Sequence, residues 1–172
     1  MRRLLRHPET AGLLLGLSDV IFRALAAATW PPSGGRLFGR FFLANVHHRV
    51  EKRAFGLDSL EWFGIAAVVV VLMYGGVRLC SHVAHRDYAG YRLARFAVAA
   101  MAGVLMLNTA EALLTGKVTD WFGLVHGNGG KALNLGDLVA WTAAVLVPGG
   151  IFAGVIGYLR DPAKYVPGAQ PG

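Results

Sequence analysis

The stretch Trp62-Phe63-Gly64-Ile65-Ala66-Ala67-Val68-Val69-Val70-Val71-Leu72-Met73-Tyr74-Gly75-Gly76-Val77 carries no charge and no proline, and it ends against Arg78. Crossing a hydrocarbon core takes about 20 residues of predominantly apolar helix, so this run reads as the centre of a membrane span. Three more stretches read the same way: residues 11–29, with Asp19 and Arg23 inside; residues 96–114, with Glu111 near the end; and residues 138–159, uncharged but holding Pro148. A proline inside a membrane helix kinks it rather than stopping it. The whole chain agrees with its parts. Of 172 residues 55% are hydrophobic and only 16% charged, against roughly a quarter charged in a soluble domain, and the mean hydropathy is +0.47. The apolar content excludes a disordered chain, and 23 glycines exclude a simple coiled coil.

A net charge of +7 would suggest nucleic acid in a soluble protein. Here the basic residues stand between apolar blocks, where anionic lipid headgroups are the partner, and no nucleic-acid role is expected. Met1-Arg2-Arg3-Leu4-Leu5-Arg6 resembles the start of a signal peptide, but Asp19 and Arg23 interrupt the apolar run that follows, so it is retained as a span. Four spans put both termini on one side. That side, with the loop between spans two and three, holds nine Lys and Arg against seven on the other, which favours cytoplasmic termini.

Between spans one and two, Trp30-Pro31-Pro32-Ser33-Gly34-Gly35 breaks the helix. The alternation of Phe42, Ala44, Val46, His48 and Val50 then predicts a half-buried strand over 41–50. Between spans three and four, Gly127-Asn128-Gly129-Gly130 predicts a turn in a short loop that contains Asp120. The expected fold is therefore an all-α integral membrane protein with four transmembrane helices and a small extracytoplasmic β segment between the first two. It forms one domain over 1–165, followed by a disordered tail over 166–172.

Ionisable groups inside a span cost at least ~2.5 kcal/mol each, so each needs a reason. Asp19 and Arg23 are four apart and can pair on one helix face, as a structural ion pair, as support for a polar site, or as both. Asn108 and Glu111 share a face near the end of span three, and Asp137 opens span four, where the helix dipole attracts an anion. With Asp120 and Asn134, these acids and amides converge on the same ends of two spans. Two carboxyl groups in a partly dry site can share one proton, which is what aspartic hydrolysis requires. Helix capping and interfacial solvation account for isolated acids equally well.

The chain resembles lipoprotein signal peptidase, or signal peptidase II, a bacterial membrane aspartyl peptidase of four transmembrane helices. The resemblance runs from about Leu14 to Ile156. Its span-one Asp, followed four residues later by a base, is matched by Asp19 and Arg23, and its Ala-Phe-Gly before span two by Ala54-Phe55-Gly56. The family's Asn-x-x-Asp-Arg reads Asn108-Thr109-Ala110-Glu111-Ala112, with Asp120 nine residues after Glu111, and its Asn-x-Ala-Asp reads Asn134-Leu135-Gly136-Asp137. The resemblance implies a catalytic pair, Asp120 and Asp137, supported by Asn108, Asn134, Asp19, Arg23 and Glu111. It implies no cofactor and no metal. The implied substrate is a prolipoprotein cut before its diacylglyceryl-modified cysteine, by a monomer in the bacterial inner membrane. Arg49, Lys52 and Arg53 would contact lipid phosphates, or merely snorkel at the interface.

Glu111, Ala112, and Val50 where the family has Asn, mark a divergent member. They leave open a catalytically impaired relative that binds a lipidated or helical partner without cutting it. A proton-conducting protein is disfavoured, because the acids gather at one end of the spans instead of along the membrane depth. His47-His48 and His82 with His85 lack accompanying acid or thiol ligands and do not make a metal site, and the lone Cys80 reads as a small packing residue.

Overall fold

The structure, a computed structural model, describes residues 7–49, 59–126 and 129–161. The basic start at Arg2, Arg3 and Arg6, Val50, Lys52, Arg53, Ala54-Phe55-Gly56, Gly127-Asn128, Lys164 and the tail lie outside the described residues, as does the side chain of Arg49.

Among the described residues five helices form: α1 (Pro8–Leu17), α2 (Asp19–Thr29), α3 (Ser59–Val83), α4 (Ala89–Thr115) and α5 (Leu135–Leu159). The first two make one span, because Ser18 between them keeps a helical backbone and gives its N–H to the Leu14 carbonyl at 2.9 Å. Among the described residues four helices are thus long and apolar enough to cross a membrane: Pro8–Thr29, Glu61–Val83, Ala89–Thr115 and Leu135–Leu159. α4 begins earlier than the apolar run at 96. Its first two turns tolerate Arg95 because Asp87 and Glu9 neutralise that guanidinium. α5 continues through Pro148.

α4 is the central helix and touches α1, α3 and α5. Lipid tails are as apolar as leucine, so helices in a membrane gain little from hiding apolar surface and associate instead by close packing of small residues. Gly12 and Gly16 let α1 lie directly on the backbone of α4. A Cβ on Gly16 would stand 2.3 Å from the carbonyl oxygen of Ala100, and one on Gly12 would stand 2.1 Å from that of Phe96. Val77, Tyr91, Ala94, Val98 and Ala143 fill the interior, while Val71, Leu72, Val145 and Phe152 face outward. That inside-out distribution suits hydrocarbon as the solvent.

Gly16→Leu is accordingly expected to cost at least about 1–3 kcal/mol, the usual penalty of overpacking. Thermal unfolding in detergent checks it. Gly64→Leu, where a Cβ meets nothing within 4 Å, should not lower the midpoint.

Four strands pair antiparallel in the order β1-β2-β3-β4: β1 (Gly35–Phe38), β2 (Phe41–Arg49), β3 (Lys117–His126) and β4 (Gly129–Leu133). The strand expected over 41–50 is β2, and a short partner precedes it. The expected loop around Asp120 is corrected: Asp120 lies on β3, opposite Val46 of β2. Gly116, with a left-handed φ of 68°, ends α4 by giving its N–H to Ala112 and turns the chain directly into β3. The sheet therefore joins the chain between α2 and α3 to the chain between α4 and α5.

Candidate active site at the sheet end of the bundle

Asp19 opens α2 and has no solvent exposure, and Arg23 follows one turn later at 6%. Their four-residue spacing puts the guanidinium on the carboxylate, with Nε and Nη2 donating to Asp19 Oδ2 at 2.8 and 2.6 Å. The second carboxylate oxygen, Oδ1, accepts from Trp121 Nε1 at 2.6 Å and from the Leu135 backbone N–H at 3.2 Å. One buried acid thus ties α2 to β3 and α5.

Arg23 also reaches across to α4. Nη1 donates to Glu111 Oε2 and Nη2 to Asn108 Oδ1, both side chains lying on the α4 face that their three-residue spacing predicts. Ala112 stands beside Glu111, and the cation that Glu111 meets is Arg23 on another helix. Glu111 holds the sheet as well: Oε2 accepts the Thr119 N–H at 3.1 Å, and Oε1 accepts the Thr119 hydroxyl. His47 Nδ1 stands 3.0 Å from that hydroxyl oxygen. The single Thr119 hydroxyl proton goes to Glu111, so in this contact His47 Nδ1 is the donor.

Asp120 follows Thr119 and is 6% exposed. Its Oδ1 accepts from Asn134 Nδ2 at 2.7 Å. Asn134 is also the N-cap of α5: its side-chain oxygen accepts the Gly136 N–H at 2.7 Å, and its own N–H donates to Asp137 Oδ2 at 3.1 Å, closing a capping box. Asp120 and Asp137 therefore hydrogen-bond to the same residue, one to its side chain and the other to its backbone. The seven residues singled out from sequence, Asp19, Arg23, Asn108, Glu111, Asp120, Asn134 and Asp137, meet at one end of the bundle.

Thr119, Trp121, His47 and Asn45 belong to the same end and were not singled out. Trp121 donates to buried Asp19 and is stacked on Phe22 with ring centroids 4.6 Å apart. Asn45, 3% exposed, donates to the Trp30 carbonyl at 2.9 Å where the β2–β3 register shifts between Leu43 and Val46. Among the described residues no group of three or more His, Cys, Asp or Glu side chains is arranged to hold a metal ion.

Trp121→Phe keeps the ring stack and deletes the donor. A lost hydrogen bond to a buried charge costs about 1.5–3 kcal/mol, so a lower unfolding midpoint in detergent is the expected result. A midpoint equal to that of the unaltered chain would show that the Trp121 bond to Asp19 adds nothing.

No protein-family model matches the chain, and no curated protein matches its sequence. Solved structures do. One, a bacterial membrane enzyme determined by the in meso method at 1.9 Å resolution, superposes with a TM-score of 0.58 at 16% identity, covering 90% of this chain and 93% of its own. Another bacterial membrane enzyme, determined by the same method at 2.3 Å, gives 0.53 at 15% identity and covers 95% and 94%. Over nearly the full length of each, the chain shares the fold of these membrane proteins: four spanning helices with a small antiparallel sheet.

Proposed function

We propose that the protein is a membrane aspartyl endopeptidase that removes signal peptides from diacylglyceryl-modified prolipoproteins, with Asp120 and Asp137 activating the attacking water. The observation that carries this reading is Asn134. By holding one carboxyl group through its amide and the other through its backbone N–H, it brings two acids from different elements to one place.

Peptide hydrolysis by such a pair needs one proton shared between the carboxyl groups. The ionised member takes a proton from water as the oxygen attacks the scissile carbonyl; the protonated member donates to the carbonyl oxygen and then serves the leaving amine. Asn134 fixes both groups before substrate arrives, and the Asp19–Arg23–Glu111 network fixes the elements that carry them. Such preorganisation is where catalytic advantage arises. A site at the helix ends also suits a substrate whose cysteine carries acyl chains, because the lipid can stay in the membrane while the peptide bond meets the acids. In this reading the protein resides in the bacterial inner membrane with cytoplasmic termini, and the sheet lies on the outer side.

The test is purified protein with a synthetic prolipoprotein bearing diacylglyceryl-cysteine. The expected product begins at the lipidated cysteine. A stable lipidated or helical partner that co-purifies, with no product formed, would favour the non-cleaving alternative suggested by Glu111 and Ala112.

A further inference from the structure

At the opposite end of the bundle, where α3 runs into α4 through residues 84–88, a cavity of about 600 Å³ opens between the two helices. It is lined by Arg78, Leu79, Ser81 and His82 of α3 and by Asp87 and Arg95. Arg78, Ser81 and His82 fall three and four residues apart, so α3 presents them on one face. Facing them, Arg95 is nearly buried, its side chain 5% exposed, and donates from both terminal nitrogens to Asp87 at 2.8 and 2.7 Å. Its Nε stands 2.7 Å from Glu9. Arg78 is much freer, 58% exposed and no closer than 3.9 Å to Glu9. Nearby Arg86 is occupied by Asp161 at 2.7 Å, and Tyr88 donates to the same carboxylate at 2.9 Å.

The formal charges here cancel, two guanidiniums against Glu9 and Asp87, but Arg95 takes up both acids and leaves Arg78 the less engaged cation. Donors line the α3 wall. The chain between α3 and α4 adds the half-exposed Asp87 carboxylate to the lining, each of whose oxygens keeps a lone pair after binding Arg95. A simple anion would meet Asp87 unfavourably. A ligand bearing a phosphate and an ammonium a few bonds apart satisfies both walls, and at the ends of membrane helices that chemistry is a lipid headgroup. We propose that this cavity binds the headgroup of a zwitterionic aminophospholipid, its phosphate on Arg78, Ser81 and His82 and its ammonium on Asp87. The site is remote from the acids at the sheet end and stands independently of the proposed cleavage.

Native mass spectrometry of the full chain released from detergent, with phosphatidylethanolamine and phosphatidylglycerol in equal amounts and inorganic phosphate as a competitor, tests it. Phosphatidylethanolamine should be retained preferentially, and Arg78→Gln, an exposed change that spares the Arg95 pair, should lower its retention about 10-fold. Asp87→Asn should erase the preference between the lipids. Equal or better retention of phosphatidylglycerol by the unaltered chain, unchanged retention in Arg78→Gln, or displacement by inorganic phosphate would each overturn the assignment.

Discussion

Asp120→Asn and Asp137→Asn are each expected to lower cleavage of a diacylglyceryl-modified prolipoprotein by roughly 10³–10⁴-fold, the scale seen when a member of a catalytic constellation is lost. An amide can neither accept the proton of the attacking water nor hold a transferable one. Both changes keep the bonds to Asn134: an asparagine at 120 still accepts from Asn134 Nδ2, and one at 137 still accepts the Asn134 N–H. Unfolding midpoints should therefore stay close to that of the unaltered chain while product formation collapses. The double variant should be scarcely slower than either single one, because the two carboxyl groups act as a unit. Cleavage at the original rate in both single variants would end the assignment of these acids.

The largest expected effect on stability comes from Arg23→Met. Removing one partner from a buried ion pair typically costs about 3–5 kcal/mol, because the remaining charge is left without compensation. Here two carboxylates lose their cation, Asp19 with no solvent exposure and Glu111 at the α4–β3 junction. Denaturation in detergent should show the loss, and Asp19→Asn added to Arg23→Met should recover part of it by deleting one stranded charge. Arg23→Lys should fall between: the charge remains, but an ammonium cannot reproduce the fork that serves Asp19, Glu111 and Asn108 together. A methionine variant as stable as the unaltered chain would show that the network holds nothing in place.

The helices were legible because burial in hydrocarbon leaves the plainest mark a sequence can carry, a long uncharged run such as 62–77. Asp19 with Arg23 was legible because helical spacing is local. β2 showed itself by alternation, but β3 did not: Thr119 and Asp120 are consecutive and both buried, so neither points to water and the period of two disappears. β4, beginning Gly129-Gly130, has too few side chains for any pattern. The link from Arg23 to Glu111 spans 88 residues and depends on how α2 and α4 meet, which no local spacing encodes. Ala112 gives Glu111 no adjacent cation, and Arg23 lies far away along the chain. The supply from Arg23 became visible once the helices were assembled.

The pairing of Asp19 with Arg23 bears on how the protein is made. The chain is synthesised from its N-terminus, so the first span enters the bilayer long before Asn108, Glu111 and Trp121 have left the ribosome. A bare carboxylate and a bare guanidinium would each resist that entry. Because they sit one turn apart on the same helix, they neutralise each other as soon as the helix forms. The later partners are then met by a segment already waiting in lipid, with its glycine face open for α4. Order of assembly is thereby written into a four-residue spacing, and separating Asp19 from Arg23 along the chain would be felt first as a failure of insertion.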